Sequence, residues 1–276
     1  MQSQIFHIFR NTPLGRETFS QTLHFCRQSG LSPVVYIPRF VKFLMYFEDD
    51  VVQVDLDASY LTDPDTALPH AEQLMADAGV AGGFLEPRNF TASTLPDIPT
   101  QFDFMTCPRS ISDLSSKIGM GYVGPRVRRI VNAARFPVLL TTPVFKPWDR
   151  ITVMFGGSTN AVSALRLGLR ISRLTGLPLS IFTLLETSPD KYRNIIEKEG
   201  LSEIVGTRIQ EWEFCENRHM EAALYDISPD ALIVAGAFGH GLIRDLMFGS
   251  VLERMQTVLC NNILIVGPKY AAPMSS

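Results

Sequence analysis

Along this chain, short apolar runs alternate with stretches of helical periodicity, most cleanly in the second half. Residues 151–155 (ITVMF) are apolar and end at Gly156-Gly157-Ser158, as a strand stopped by a loop would. Residues 160–175 follow with Ala161, Ala164, Leu165, Gly168, Leu169 and Ile171 at helical spacing, and Gly176 ends them. Residues 177–185 are almost continuously apolar, the pattern of a strand buried on both faces. A short helix is expected over 188–198, with Ser188 as N-cap and Pro189 in its first turn. A strand over 204–212 and a helix over 216–225 come next. Residues 231–235 (ALIVA) and 263–266 (ILIV) read as strands, with a helix over 251–258 between them. Strands alternating with helices pair in parallel through right-handed crossovers, which gives a doubly wound α/β sheet.

The first half repeats the layout less cleanly. Strands are expected over 5–9, 33–37, 80–85, 102–107 and 138–141, with helices over 16–28 and 65–78. An insertion at 40–59 (FVKFLMYFEDDVVQVDLDAS) has no counterpart in the second half, and alternation over 51–56 marks an extra strand or hairpin. Near the end of each half, Gly124, Arg129 and the apolar 136–140 line up without gaps against Gly249, Arg254 and 261–265. This reads as an internal duplication. Pro143 and Pro147 put the junction within 142–150, so the expected domains are 1–146 and 147–276.

Composition removes several classes. The chain has 276 residues, 46% hydrophobic and 19% charged, enough for a core and too apolar for a disordered protein. A net charge of −3 gives no positive field for nucleic acid or an anionic membrane. Cys26, Cys107, Cys215 and Cys260 form no C-x-x-C pair, which excludes the usual zinc-ribbon and thioredoxin spacings and fits a reducing compartment. There is no secretory pattern at the start and no run of about 18 apolar residues, so no membrane span is expected and the expected location is the cytoplasm.

The chemistry concentrates in 231–251 (ALIVAGAFGHGLIRDLMFGSV). Gly236, Gly239, Gly249 and Ser250 give G-x2-G-x9-G-S, beginning where a buried strand ends and finishing where a helix begins. Glycines let backbone N–H groups approach an anion closely, and the helix beginning at Val251 adds unpaired donors and a partial positive charge. The Ser250 hydroxyl can donate one more bond. The carboxyl edge of a parallel sheet is also where such folds place ligands. A plain helix N-cap at Ser250 with incidental glycines is the simpler alternative.

With this motif, its flanks LIVAGAFGHG and GSVLERM, and a final NNILIV, residues 148–268 resemble a universal stress protein domain, and the whole chain resembles the tandem two-domain members. The resemblance implies two five-stranded parallel sheets of order 3-2-1-4-5, the adenine nucleotide alpha hydrolase-like fold. It implies ATP, with AMP or ADP as alternatives and Mg2+ accompanying the nucleotide, in the C-terminal domain. Gly236, Gly239, Gly249 and Ser250 would hold ribose and phosphates, with His240 a further phosphate contact and Val251 opening the helix. Gly156 and Gly157 stand in the first-strand loop, where Gly156 replaces the family's aspartate. Leu184 would offer its backbone to adenine, and Thr183 replaces a usual histidine. The first domain reads as a degenerate copy: Arg109 and Ser112 fall on Gly236 and Gly239, and Pro125 falls on Ser250, removing one N–H. The resemblance also implies pairing of the two domains through 138–141 and 263–266, a homodimer as an alternative use of that edge, and an unidentified client protein.

The implied role is a nucleotide-dependent regulator in stress response. The alternatives are a slow ATPase or phosphotransferase, for which 236–250 supplies no clear base or metal carboxylate, and an interaction protein that binds no nucleotide. Other motifs carry less. Gly119-Met120-Gly121-Tyr122-Val123-Gly124 matches a dinucleotide fingerprint but follows a polar stretch and lacks the later acid. Gly156-Gly157-Ser158 is also similar to the loop of ATP pyrophosphatases, without its Asp-Ser pair. Ser250 with His240 lacks a nucleophile elbow. Asp55 and Asp57, with Glu48, Asp49 and Asp50, read as a solvated face before a cation site, and Arg126, Arg128, Arg129 and Arg135 as a solvated basic helix. His7, His24, His70 and His219 show no metal spacing.

Overall fold

The computed structural model describes residues 3–91, 94–109, 111, 123–216, 224–237 and 261–270. They belong to two compact units that divide between Pro147 and Trp148. No helix among the described residues is long and apolar enough to cross a membrane.

The first unit runs β1 (Gln4–Ile8), α1 (Pro13–Ser29), β2 (Ser32–Tyr36), β3 (Lys42–Tyr46), β4 (Val51–Asp55), α2 (Pro64–Ala78), β5 (Gly83–Phe84), β6 (Phe90–Thr91), β7 (Leu95–Ile98), β8 (Phe104–Pro108), α3 (Pro125–Ala133) and β9 (Val138–Thr141). Its parallel sheet has the order β9-β8-β1-β2-β5. The second unit runs β10 (Arg150–Met154), α4 (Thr159–Thr175), β11 (Leu179–Leu185), α5 (Pro189–Lys198), α6 (Ser202–Arg208), β12 (Ile209–Glu216), β13 (Ala231–Gly236) and β14 (Ile263–Val266). Its order is β12-β11-β10-β13-β14, again parallel throughout. Counting principal strands, both are 3-2-1-4-5, the doubly wound fold the sequence implies.

Burial explains the strands. Every residue of β9, β13 and β14 is buried, as strands covered on both faces must be. α4 lies flat on its sheet because Gly168 has no side chain: a Cβ there would come within 2.5 Å of Val153 Cγ2. The two units begin alike. Phe9 and Phe155 are both fully buried, Thr12 and Ser158 both cap a 17-residue helix, and Gly30 and Gly176 end those helices in the left-handed conformation (φ 71° and 72°). Each pair falls at one common offset along the chain.

Three boundaries differ from expectation. Residues 202–208 form helix α6 in place of the first half of a strand; Val205 alone faces inward, and β12 starts at Ile209. The strand expected over 80–85 shrinks to Gly83–Phe84. The insertion carries more than a hairpin: β3 and β4 pair antiparallel, and β7 and β6 extend them into a second sheet of order β4-β3-β7-β6. The helices expected over 216–225 and 251–258 fall largely or wholly outside the described residues, as does the fingerprint segment before Val123.

The insertion also resolves the two charged stretches. β4 packs on α3, where Asp55 accepts from Arg126, Asp50 sits 3.7 Å from Arg129, and Glu48 pairs with Arg135. Phe47 lies 6.1 Å from Phe136, ring to ring. The basic helix and the acidic strand are thus each other's partners. Burial alone would raise the Asp55 pKa. Hydrogen bonds from Gln53 and Arg126, with the charges of Arg126 and Lys42, outweigh that and hold it below the ordinary carboxylate value.

Candidate functional site

At the carboxyl end of β10 the chain passes through Phe155, Gly156, Gly157 and Ser158 into α4. Ser158 is extended (φ −77°, ψ 164°), and its hydroxyl accepts the Ala161 N–H, so the helix begins there. Gly157 has φ +74°, a conformation glycine adopts without strain. A Cβ there would also come 2.8 Å from Ile195 Cδ1 and 3.4 Å from the Tyr192 ring, so α5 closes tightly over the loop.

β13 reaches the same edge beside β10, with Met154 opposite Ala235. Gly236 follows, and it presses directly on the start of α4. A Cβ at Gly236 would lie 2.5 Å from both C and O of Asn160 and 2.8 Å from the Ala161 nitrogen. Asn160 fixes this approach by donating from Nδ2 to the Ala237 carbonyl, and Ala237 N donates to Val266 O at 2.8 Å. The first glycine of the loop motif therefore serves packing: it lets β13 and the α4 terminus meet backbone to backbone.

Leu184, near the end of β11, is buried, and its carbonyl accepts from the Tyr192 hydroxyl at 3.4 Å. The same hydroxyl accepts the Glu186 N–H at 3.1 Å. Thr183 is fully buried, and its Oγ1 accepts from Trp212 Nε1 at 2.9 Å, so the position of the family's histidine is used to anchor an aromatic wall. That wall continues through Phe155, Tyr192 and Phe214, with Trp212 stacked on Phe214 at 4.8 Å and Arg193 over Phe214. Beside it, the carboxyl end of β12 is acidic. Burial raises the Glu213 pKa above the usual carboxylate value, and Asp226 and Glu211 add to the rise.

The structure thus brings together Gly156, Gly157 and Gly236, with Leu184 two strands from Gly236. Gly239, His240, Gly249, Ser250 and Val251 lie outside the described residues. Sequence reasoning missed Asn160 and Tyr192. Asn160 follows G-G-S-T directly, so a polar residue in the first turn of α4 was the available signal; Tyr192 carried none. Among the described residues no group of three His, Cys, Asp or Glu side chains could hold a metal ion. Cys26, Cys107 and Cys215 are buried and unpaired.

The chain is 25% identical over 197 residues to a universal stress protein of Synechocystis, covering 68% of this chain and 66% of that protein, just under two thirds of its length. A universal stress protein from Archaeoglobus fulgidus superimposes with a TM-score of 0.59 over 96% of both chains at 15% identity. The chain resembles universal stress proteins in sequence and shares their fold. A protein of unknown function from Pseudomonas aeruginosa has the same fold, with a TM-score of 0.55 and 12% identity over 97% of this chain and 93% of that one. No family model matches the chain. Gly156 and Thr183 stand in place of the aspartate and histidine that the resemblance implied, and the first unit carries a second sheet, of the 40–59 insertion with β6 and β7, beside its parallel sheet.

Proposed function

We propose that the second unit binds an adenine nucleotide, ATP or its relatives AMP and ADP, and acts as a nucleotide-dependent regulator in stress response. The observation that carries this reading is the bare backbone at the carboxyl edge: Gly156-Gly157-Ser158 opening α4, with Gly236 pressed against its first turn. No side chain of these glycines screens the N–H groups, and a helix N-terminus favours negative charge. Gly239, Gly249, Ser250, His240 and Val251 are assigned to the phosphate side by their place in the motif, with Mg2+ accompanying the phosphates.

The base belongs on the other side. The Leu184 carbonyl has two lone pairs and uses one for Tyr192, so a second remains for an exocyclic amino group. The acidic end of β12 repels phosphate and tolerates an amine-bearing ring, which orients the ligand with its base toward β11 and β12. Binding with little turnover fits these parts, because backbone donors hold a phosphate ground state without a positioned base.

Mass spectrometry of nucleotide released from the purified protein, followed by isothermal titration with ATP, AMP and GTP, tests the reading. One site per chain is expected, with adenine preferred. Gly239→Val is expected to abolish binding by blocking approach to phosphate. Two equivalent sites, or affinity unchanged in that variant, would overturn the assignment.

A further inference from the structure

The first unit contains a separate cavity of about 250 Å³ at the carboxyl ends of β2 and β5. Its walls are apolar, chiefly Ile37, Phe40, Leu68, Phe84 and Phe90, with the Phe40 and Phe90 rings set edge to face at 6.0 Å. Phe40 and Phe90 remain 42% and 43% exposed, so two aromatic rings stand at an open mouth. Large apolar side chains left this open at a concave site are the usual lining of a small-molecule pocket.

Four polar groups share the cavity: Tyr36, Arg39, Asp65 and Glu86. Tyr36 is only 2% exposed, held by the rings of Phe6 and Phe43, and it lines the cavity. Burial raises the phenol to about 12 and the Arg39 charge lowers it in part, so it is a donor at neutral pH. Arg39 forms no ion pair within the described residues, and neither does Glu86. A phenol and a guanidinium together select a carboxylate. Two further carboxylates in the same lining make a second anion unwelcome and an ammonium group welcome.

We propose that this cavity is a binding site for a free α-amino acid with an apolar side chain. Its carboxylate meets Tyr36 and Arg39, its ammonium meets Asp65 and Glu86, and its side chain lies among Phe40, Leu68, Phe84 and Phe90. The volume admits one such residue and excludes a nucleotide. The site is independent of nucleotide binding in the second unit.

Titration of the full-length protein with L-phenylalanine and L-leucine, by calorimetry and thermal shift, tests this. Saturable binding at one site is expected. Removing either charged group should weaken it by about tenfold or more, read with 3-phenylpropionate and phenethylamine, because each removes a charge-assisted hydrogen bond. Tyr36→Phe and Arg39→Gln should each produce a similar loss, and the first keeps the ring packing, so an unchanged circular dichroism spectrum confirms that folding is intact. No binding of either amino acid at about 10 mM, well above the weakest useful affinities, would overturn the proposal. So would binding that both variants leave unchanged. N-acetyl-phenylalaninamide binding as tightly as L-phenylalanine would overturn it in favour of a peptide segment.

Discussion

The two units begin alike and differ where it matters. Ile8-Phe9-Arg10-Asn11-Thr12 and Met154-Phe155-Gly156-Gly157-Ser158 both bury a phenylalanine, and both end in a hydroxyl that caps a 17-residue helix. Between them, the first unit places Arg10 and Asn11 where the second places two glycines. Arg10 lies over the Tyr60 ring at 5.4 Å, and Asn11 Oδ1 is within 3.1 Å of Arg16 and 3.0 Å of His70. Side chains occupy the carboxyl edge in one unit; bare backbone is left in the other. The α3 start repeats the lesson, since Pro125 removes a donor and Asp55 sits paired with Arg126 in its first turn. Two units with one strand order can thus differ in whether side chains or bare backbone occupy the carboxyl edge.

The comparison is sharpest at glycines that admit close backbone approach. A Cβ at Gly15 would lie 1.9 Å from the Arg10 carbonyl oxygen, and at Gly236 it would lie 2.5 Å from Asn160 C and O. Both neighbours are backbone and cannot rotate away. Gly15→Ala and Gly236→Ala are each expected to cost about 3 kcal/mol or more, at the upper end of overpacking effects. Urea unfolding measures this, with Gly15→Ala the larger. Equal stability to the parent would mean that the α1 and α4 starts are free to move.

Much of this architecture is legible in the residues. β10, β13 and β14 announce themselves as apolar runs, and Ser158 and Gly176 mark both ends of α4. Residues 202–208 misled because a single inward Val205 gives too short a helical signal before the alternation of IQEWEFCE. β6 and β7 stay hidden because they are short and contain Pro96. At the site, Gly156 and Gly157 are readable, but the Asn160–Ala237 and Tyr192–Leu184 bonds depend on which segments the fold brings together. Charges of the insertion and of α3 were countable; their mutual pairing was not.

A second contrast lies inside the first strands, where the first unit has His7 and the second has Val153. His7 is 1% exposed, its Nδ1 bonds Thr22 Oγ1 at 2.9 Å, and Thr22 donates to Thr106 at 3.1 Å. Nε2 has no partner among the described residues, so the proton belongs on Nδ1, which leaves an acceptor unbonded and spares a buried donor. Burial lowers the His7 pKa from 6.5 to about 3. The unfolded chain therefore binds a proton that the native state refuses, and the stability present above pH 6.5 is lost as pH falls from 6.5 toward 3. The expected slope is of order 1 kcal/mol per pH unit. Chemical unfolding at pH 7, 6, 5 and 4 should show this slope in the parent relative to His7→Val. Parallel curves for the two proteins would show that His7 takes no part.

Gly157 separates the loops by conformation. It has φ +74° in the second unit, whereas Asn11, its counterpart, is not a glycine and sits among hydrogen bonds. Gly157→Ala is expected to cost about 1–2 kcal/mol, from the left-handed backbone together with the contact on Ile195. Asn11→Gly in the first unit should cost about 1 kcal/mol or less through lost bonds and added chain entropy. Thermal unfolding compares them, and an Asn11→Gly loss exceeding that of Gly157→Ala would reverse the assignment of strain.

The smallest expected effect concerns the ion pair at the start of α3. Asp55 is partly exposed, with its side chain 21% accessible, and Arg126 is 39% accessible. Such a pair contributes little in water, because both partners lose solvation and side-chain freedom. Asp55→Asn is therefore expected to cost about 1 kcal/mol or less at low salt, and less again in 1 M salt, where the Debye length is about 3 Å. The pairs Asp50–Arg129 and Glu48–Arg135 are more exposed and should each contribute less than Asp55–Arg126. Packing of β4 on α3 and the Phe47–Phe136 contact, both insensitive to salt, must then supply most of the attachment. Hydrogen exchange at β4 separates the two sources. Protection there should survive 1 M salt in the parent and fall in Phe47→Ala; loss of protection on adding salt alone would make the ion pairs the principal tether.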